Sequence, residues 1–356
     1  MKATIVLGTR PEIIKLAPII KKLGPRKCSV VFSGQHYDHT MGLQFIEQLE
    51  LPKPNHTMKL QGKTPSTQIS EIISKLSKIL SKEKPDTVIV QGDTNTVLAS
   101  GICSIKHKIP ISHVESGLRS FDWRMPEEHN RITIDHLSEL LFAPTKLAKN
   151  NLISEKVHGK IHVTGNTAID AVNTFSKISK KKSSIDVTID DFVLATLHRS
   201  ENVDDKKILS SIIKGIISSN VEVIFPLHPR TKKRLKEFHL YDKLTNSKNI
   251  LLLDAVGYFE MLELMKKCLF IFTDSGGLQE ESTAKTIRKK VIVARKTTDR
   301  PEAIKCKTSE LVKLDSKSIS KILKKTLKNP QIPSNQTPFG CGNASSKIVK
   351  LLEKNF

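Results

Sequence analysis

The sequence predicts an α/β protein built from two doubly wound halves. Three observations lead there. The 356 residues are too many for one comfortable hydrophobic core and suit two domains of ~100–200 residues each. Short β-branched runs alternate with helical apolar stripes from the first residues, the pattern of a parallel sheet covered on both faces. The alternation lapses once, near the middle of the chain, and then restarts.

In the first half, ATIVLG (3–8) is a buried-type strand. A turn with Pro11 follows, then a helix whose apolar positions Ile13, Leu16, Ala17, Ile20 and Leu23 recur at steps of three and four. CSVVFS (28–33), DTVIVQG (86–92) and ISHV (111–114) are further strands, with a helix from the second of these to about residue 106. The stretch SKISKKKSSIDVTID (176–190) is polar and basic, without a strong apolar stripe, and is assigned to the linker or its edge. FVLATLH (192–198), VEVIFPL (221–227), NILLLD (249–254), CLFIFTD (268–274) and VIVA (291–294) then supply a second set of strands. Doubly wound sheets bind ligands outside the carboxyl ends of their strands. With two such domains, the expected site is the cleft between them.

Composition narrows the function classes. Hydrophobic residues make up 38% and are spread along the chain, which excludes wholesale disorder. No apolar run approaches ~20 residues, so neither a membrane-spanning helix nor a membrane partner is expected. The N-terminal MKATIVLGTRPE lacks the length and cleavage pattern of a signal peptide. Five scattered cysteines without a C-x-x-C argue against a disulfide framework or a structural zinc site, and for a reducing cytoplasm. A net charge of +22 points to an anionic partner, either nucleic acid or a small phosphorylated substrate. The lysines fall in scattered helical patterns such as SKLSKILSKEK (74–84) and SISKILKKTLKN (318–329), which read as solvated faces. There is no RNP-like motif, zinc-finger spacing or helix-turn-helix signature, and aromatics at 5% are poor for stacking on single strands. No nucleic-acid partner is expected.

The candidate functional residues lie at the strand ends. Gly8-Thr9-Arg10-Pro11-Glu12 follows the first strand, with Lys15 one turn into the helix. Cations at a helix N-terminus suit a phosphate, although a plain βα turn accounts for the string equally well, and the Walker A spacing is absent. Asp93 after DTVIVQG is placed to cap a helix or to move protons. Glu115 follows ISHV, and Glu127 and Arg131 lie in PEEHNRI. Such an acidic cluster suits acid/base work; structural carboxylates paired with Arg119, Arg124 and Arg131 are the rival reading. In the second half His198 and His228 each follow a strand, as phosphate ligand, proton shuttle or plain surface histidine. Thr273-Asp274-Ser275-Gly276-Gly277 ends a strand and opens a helix. Ser275 caps there, and the glycines let a pyrophosphate approach bare N–H groups. Glu281 is a candidate for ribose hydroxyls, and Arg300 adds another cation after a strand.

Taken together, GTRPEIIKLAP, GQH (34–36), QGDTNT, HVESGLRS, PEEHNRI, TGNTAID (164–170), TLHRSEN, TDSGGLQEE and TTDRPEA resemble the non-hydrolysing UDP-N-acetylglucosamine 2-epimerases. They occur in that family's order and cover nearly the whole chain. The resemblance implies a GT-B architecture, with two Rossmann-like domains facing a central cleft. The first would span 1–172 plus a returning C-terminal helix in 343–356, and the second 173–342. Arg10 and the Ser275-Gly276-Gly277 loop would hold the diphosphate, with Lys15 and His198 nearby, Glu281 on the ribose and Arg300 completing the nucleotide site. Asp93, Glu115 and Glu127 would be the acid/base carboxylates, with Arg131 beside them and His198 taking part in catalysis. The uracil would lie against the segment from Val256 to Met261, where this chain departs from relatives with a Gln and a Phe. It also departs at 285–290, which replaces a short Gly-Lys/Arg-Pro turn, and at Cys341, where an Asp is usual. The implied enzyme needs neither metal nor redox cofactor, acts in the cytoplasm on a UDP-sugar and forms a homodimer. Some bacterial relatives also bind an activating UDP-sugar near the segment matching Gln35-His36, where this chain matches poorly.

The implied reaction inverts C2 of UDP-N-acetylglucosamine by expelling and re-adding UDP through 2-acetamidoglucal. It requires an acid/base group on each face of C2, cations and N–H donors on the departing diphosphate, and exclusion of water. A GT-B glycosyltransferase or a hydrolysing epimerase would use the same nucleotide loop. A nucleic-acid-binding protein would explain the charge but not the acidic cluster.

Overall fold

The computed structural model describes residues 1–35, 39–185, 189–333 and 336–356. It divides into two compact units, Met1–Ala171 with Phe339–Phe356 and Val172–Pro338.

In the first unit the strands are β1 (Ala3–Leu7), β2 (Cys28–Phe32), β3 (His56–Thr57), β4 (Thr87–Gln91), β5 (Ile111–Val114), β6 (Leu140–Ala143) and β7 (Lys160–Val163). They form a parallel sheet in the order β3-β2-β1-β4-β5-β6-β7. Ile5 sits opposite Val30 on one side and Ile89 on the other. Every residue of β1, β2, β4 and β5 is buried, which is why these strands read as unbroken apolar runs. Helix Pro65–Glu83 turns Ile72, Leu76 and Leu80, spaced by four, onto Val6, Val31, Val88 and Val90. Each such side chain contributes about 1.5–3 kcal/mol by leaving water.

The second unit repeats the plan with β8 (Val193–Thr196), β9 (Val223–Pro226), β10 (Ile250–Leu253), β11 (Phe270–Thr273), β12 (Val291–Val293) and β13 (Ser309–Leu311), ordered β10-β9-β8-β11-β12-β13. Leu209, Ile212, Ile213 and Ile216 of helix Lys206–Ser219 cover Phe225, Phe270 and Phe272. In both sheets the order reverses once, between β1 and β4 and between β8 and β11. Those reversals are the topological switch points, where doubly wound sheets open a crevice at their carboxyl ends.

The strands expected from sequence are all present; ISHV keeps its full length and the others are shortened at one or both ends. The structure adds β3, β6, β7 and β13. Three of the four are strands of two to four residues with partly exposed patterns, which carry little hydrophobic signal. The first helix extends past Leu23 to Lys27 across a kink at Gly24, whose φ of 69° no helix accommodates. The assigned linker is tethered rather than loose. Ser179–Lys182 forms a short helix, and Ser179 Oγ donates to Glu263, which Lys266 Nζ also binds at 2.7 Å. Polar anchors hold it, which is why no apolar stripe marked it. Residues 186–188 of that stretch lie outside the described residues.

The chain returns to the first unit at Phe339, ahead of the last helix. Phe339 is buried, and its carbonyl accepts the Asn166 N–H at 2.8 Å. Helix Ala344–Asn355 follows, its first turn capped by the Asp170 carboxylate, which accepts from Ala344 N at 3.1 Å and from Ser345 N at 2.9 Å. All five cysteines are free thiols. No helix among the described residues is long and apolar enough to cross a membrane.

Candidate active site

In the first unit, three turns meet at the β1/β4 switch point. Gly8 ends β1, and a Cβ there would lie 2.1 Å from Ser33 Oγ and 2.5 Å from Thr96 Oγ1. Only glycine allows the turns after β1, β2 and β4 to pack this closely. Gln35 joins them, its Oε1 accepting from Thr96 N at 2.8 Å and Thr96 Oγ1 at 2.7 Å. Glu12, buried in the first turn of helix Arg10–Lys27, ties the turns again. It accepts from Gly8 N at 2.7 Å, Thr9 N at 2.6 Å and Thr94 Oγ1 at 2.6 Å. Burial pushes its carboxyl above the usual range, against the pull of those donors. Arg10 leads the helix with its guanidinium 4.8 Å from the centre of the Phe45 ring, a cation–π contact that holds the head in place.

Adjacent carboxyl ends bring Asp93 and Glu115 together. Glu115 follows β5 with φ +70°, a left-handed conformation costly for a side-chain-bearing residue. Its Oε2 receives Lys15 Nζ at 2.5 Å and Asn166 Nδ2 at 3.1 Å. Lys15 is thus turned onto a carboxylate, whereas the sequence reading placed it near the diphosphate. Asp93 follows β4. Arg131 donates to its Oδ2 from Nε at 2.9 Å and from Nη2, and Asn130 Nδ2 reaches its carbonyl at 2.9 Å. Burial raises the Asp93 carboxyl above its ordinary range; Arg131 opposes this, while the charges of Glu115 and Glu127 reinforce it. Three carboxylates therefore act on one another here. Glu127 is exposed and makes no hydrogen bond or ion pair among the described residues. Its neighbour Glu128 is wholly buried and structural, accepting from Ser120 N at 3.0 Å and Phe121 N at 2.8 Å and pairing with Arg131.

In the second unit the groups gather at the β8/β11 switch point. Ser275 caps the helix Gly276–Glu281, its Oγ 3.4 Å from Leu278 N. A Cβ on Gly277 would meet nothing closer than 3.8 Å, so this glycine leaves the helix N-terminus bare. Asp274, fully buried, organises the turn after β8. It accepts from His198 N and Arg199 N at 3.1 and 3.0 Å and from Asn202 Nδ2 at 3.1 Å, and faces His198 Nδ1 at 3.1 Å. Burial alone would raise its carboxyl; His198 and these donors hold it below the ordinary range instead. The His228 ring is 5.8 Å from His198. Burial, with the His198 charge, lowers the His228 imidazole, and its Nδ1 accepts from Arg230 N at 3.2 Å.

Arg300 is buried against the same loop. Its Nε binds Glu280 and its Nη1 lies 3.1 Å from Asp299 Oδ2, while Arg295 Nη1 holds Asp299 Oδ1 at 2.9 Å. Burial works upward on Asp299, yet Arg300, Arg295 and Arg199 keep it far below the usual carboxylate range. Glu281, Val256 and Met261 are all half-buried. Sequence reasoning gave no role to Glu12, His113, Asp135 or Asp274, although each lies within or beside a string it singled out; burial is what sets them apart. His36 of GQH lies outside the described residues.

The architecture is of the GT-B type, with polar groups collected at the carboxyl ends of both parallel sheets. A sequence profile of the UDP-N-acetylglucosamine 2-epimerases matches residues 21–353, and the chain belongs to that family. The UDP-N-acetylglucosamine 2-epimerase of Methanocaldococcus jannaschii is 44% identical, over 99% of both chains. The UDP-2,3-diacetamido-2,3-dideoxy-D-glucuronate 2-epimerase of Pseudomonas aeruginosa is 36% identical over 99% of this chain and 100% of its own. Among solved structures, the M. jannaschii enzyme in complex with UDP-GlcNAc and UDP superposes with a TM-score of 0.88 at 43% identity, covering 99% of this chain and 100% of that one. The Neisseria meningitidis enzyme bound to UDP-GlcNAc gives 0.87 at 33% identity, covering 100% of both.

Proposed function

We propose that the protein interconverts UDP-N-acetylglucosamine and UDP-N-acetylmannosamine without hydrolysing either. The observation that carries this reading is the placing of Asp93 and Glu115 at adjacent strand ends, each held by a cation, with the charge of Glu127, in the first turn of helix Pro126–Leu137, acting on Asp93. No carbonyl adjoins C2 of an N-acetylhexosamine to acidify its proton. Elimination avoids that difficulty: a carboxylate takes the C2 hydrogen as the C1–O bond breaks and UDP departs, leaving 2-acetamidoglucal. A second group then delivers a proton to the other face of C2 as UDP re-adds at C1.

The surroundings divide these roles. Lys15 pairs with Glu115 at 2.5 Å, an arrangement that suits the base. Burial and two like-charged neighbours raise the proton affinity of Asp93, which suits the acid. Glu127 completes the acidic set, and Arg131 orients Asp93. Arg10 and the Ser275-Gly276-Gly277 loop take the diphosphate, His198 and Arg300 support it, Glu281 takes the ribose, and the segment from Val256 to Met261 takes the uracil. The chemistry requires no metal or redox cofactor. The functional assembly is a homodimer in the cytoplasm.

Proton NMR of UDP-N-acetylglucosamine with the purified protein tests the reading. A second UDP-sugar should appear and reach equilibrium with the first. Accumulating UDP with free N-acetylmannosamine would mark a hydrolysing enzyme, and an unchanged spectrum without acceptor a glycosyltransferase. The diacetamido glucuronate for which the P. aeruginosa relative is named, offered in parallel, distinguishes the sugar.

A further inference from the structure

A buried chain of charges runs behind the acidic cluster. His113, in β5 and 1% exposed, places Nε2 at 2.9 Å from the Gly92 carbonyl and Nδ1 at 2.7 Å from Asp135 Oδ1. A carbonyl only accepts, so Nε2 carries a hydrogen. Asp135, fully buried in helix Pro126–Leu137, uses Oδ2 to accept from Gly117 N at 3.0 Å and to pair with Arg119 Nη1 at 2.8 Å. Arg119 in turn binds Glu155 from Nε at 2.7 Å and Nη2 at 2.5 Å. Two carboxylates thus face one guanidinium. Nδ1 and Oδ1 share one hydrogen, so ring and carboxylate are locked to each other as well as to the two loops they bind.

The ends of this chain are the backbone beside the two carboxylates. Gly92 immediately precedes Asp93, and Gly117 lies two residues after Glu115; both have left-handed φ values, +81° and +80°. Gly117 is also pressed against Ala148, whose carbonyl oxygen would lie 2.3 Å from an added Cβ. Neither glycine has a side chain to hold its loop, so the loop geometry depends on what binds its peptide groups. One imidazole–carboxylate pair binds both.

We propose that His113, bridging the Gly92 carbonyl and Asp135, is a positioning residue that fixes the spacing of Asp93 and Glu115. The proposal rests on the reading of those two as the acid/base pair. It predicts a loss of turnover rather than of binding, because misplacing reacting groups by about 1 Å can cost ~10²-fold.

Kinetics test it. His113→Gln and Asp135→Asn should each lower kcat about tenfold to a hundredfold, with KM and UDP affinity within about twofold of wild type. The double variant should be no worse than the poorer single. Unchanged kcat in a folded variant, or a rise in KM alone, would overturn the positioning role. If His113→Gln fails to fold, Asp135→Asn decides. A wild type that does not turn over UDP-N-acetylglucosamine would overturn the epimerase reading and with it the positioning role, whereas normal wild-type turnover with undiminished variants would overturn the positioning role alone.

Discussion

Lys15 Nζ lies 2.5 Å from Glu115 Oε2, with both side chains almost wholly buried. An ammonium one turn into the first helix thus neutralises the carboxylate at the end of β5. Removing it takes away the cation that faces this buried carboxylate. Lys15→Gln should therefore lower kcat by ~10²-fold, typical of a disabled acid/base group. UDP affinity, read by calorimetry, should change much less. Weakened UDP binding with kcat preserved would return Lys15 to the diphosphate.

The acidic cluster makes a pH prediction with a definite sign. Burial, Glu115 and Glu127 all raise the Asp93 carboxyl. An acid must be protonated to act, so the rate should fall as pH rises through the Asp93 value. Glu127→Gln removes one of the charges that raise it, and the alkaline limb of the residual kcat/KM profile should move to lower pH. A limb that stays put or moves upward would show that Asp93 is not the group titrating.

The diphosphate assignment is tested by Arg10→Ala and Ser275→Ala. Each removes a donor to a charged group, and each should weaken UDP binding by roughly 1.5–3 kcal/mol. The Arg10 head also loses its rest on Phe45, so Phe45→Ala should weaken UDP binding in the same direction, though less. UDP bound as tightly by both donor variants as by wild type would refute the assignment.

Asp274 carries a stability prediction for the second unit. It is fully buried, and its folded-state carboxyl is held below the ordinary range by His198, Arg199 N and Asn202. A depressed carboxyl stabilises the fold above the unfolded-state value, near 3.9, and that stabilisation is lost as pH falls through the folded value. Asp274→Asn should destabilise the unit by roughly 2–4 kcal/mol at neutral pH. The difference should shrink in thermal melts below about pH 4. A constant difference across that range would mean that the charge of Asp274 contributes nothing.

Much of the fold was legible because buried parallel strands are continuous apolar runs. ATIVL, TVIVQ and FIFT announce themselves, and the turn residues after them mark the carboxyl ends. Two-residue β3 and the partly exposed β7 do not, since their burial is set by neighbours. Residues 179–184 looked like linker because Glu260 and Glu263 anchor them through polar bonds, and such partners leave no periodic trace. In the site, residue type pointed to an acidic cluster and the family resemblance named Asp93, Glu115 and Glu127, but residue type could not tell a catalytic carboxylate from a structural one. Glu127 and Glu128 are adjacent in sequence, and burial alone separates exposed Glu127 from Glu128, whose partners are backbone N–H groups, Ser120 Oγ and Arg131. Lys15 shows the same limit from the other side: its pairing with Glu115 joins residues 100 apart in the chain.

The central claim is that a carboxylate removes the C2 proton while UDP departs. The measurement that tests it most directly is turnover of UDP-N-acetylglucosamine in D₂O, with the product read by proton NMR and mass spectrometry. The abstracted proton resides on a carboxylate that exchanges with solvent before C2 is reprotonated. UDP-N-acetylmannosamine should therefore carry one deuterium at C2, and Asp93→Asn and Glu115→Gln should each slow its appearance by ~10²-fold or more. Product that retains its original C2 hydrogen would contradict the elimination mechanism.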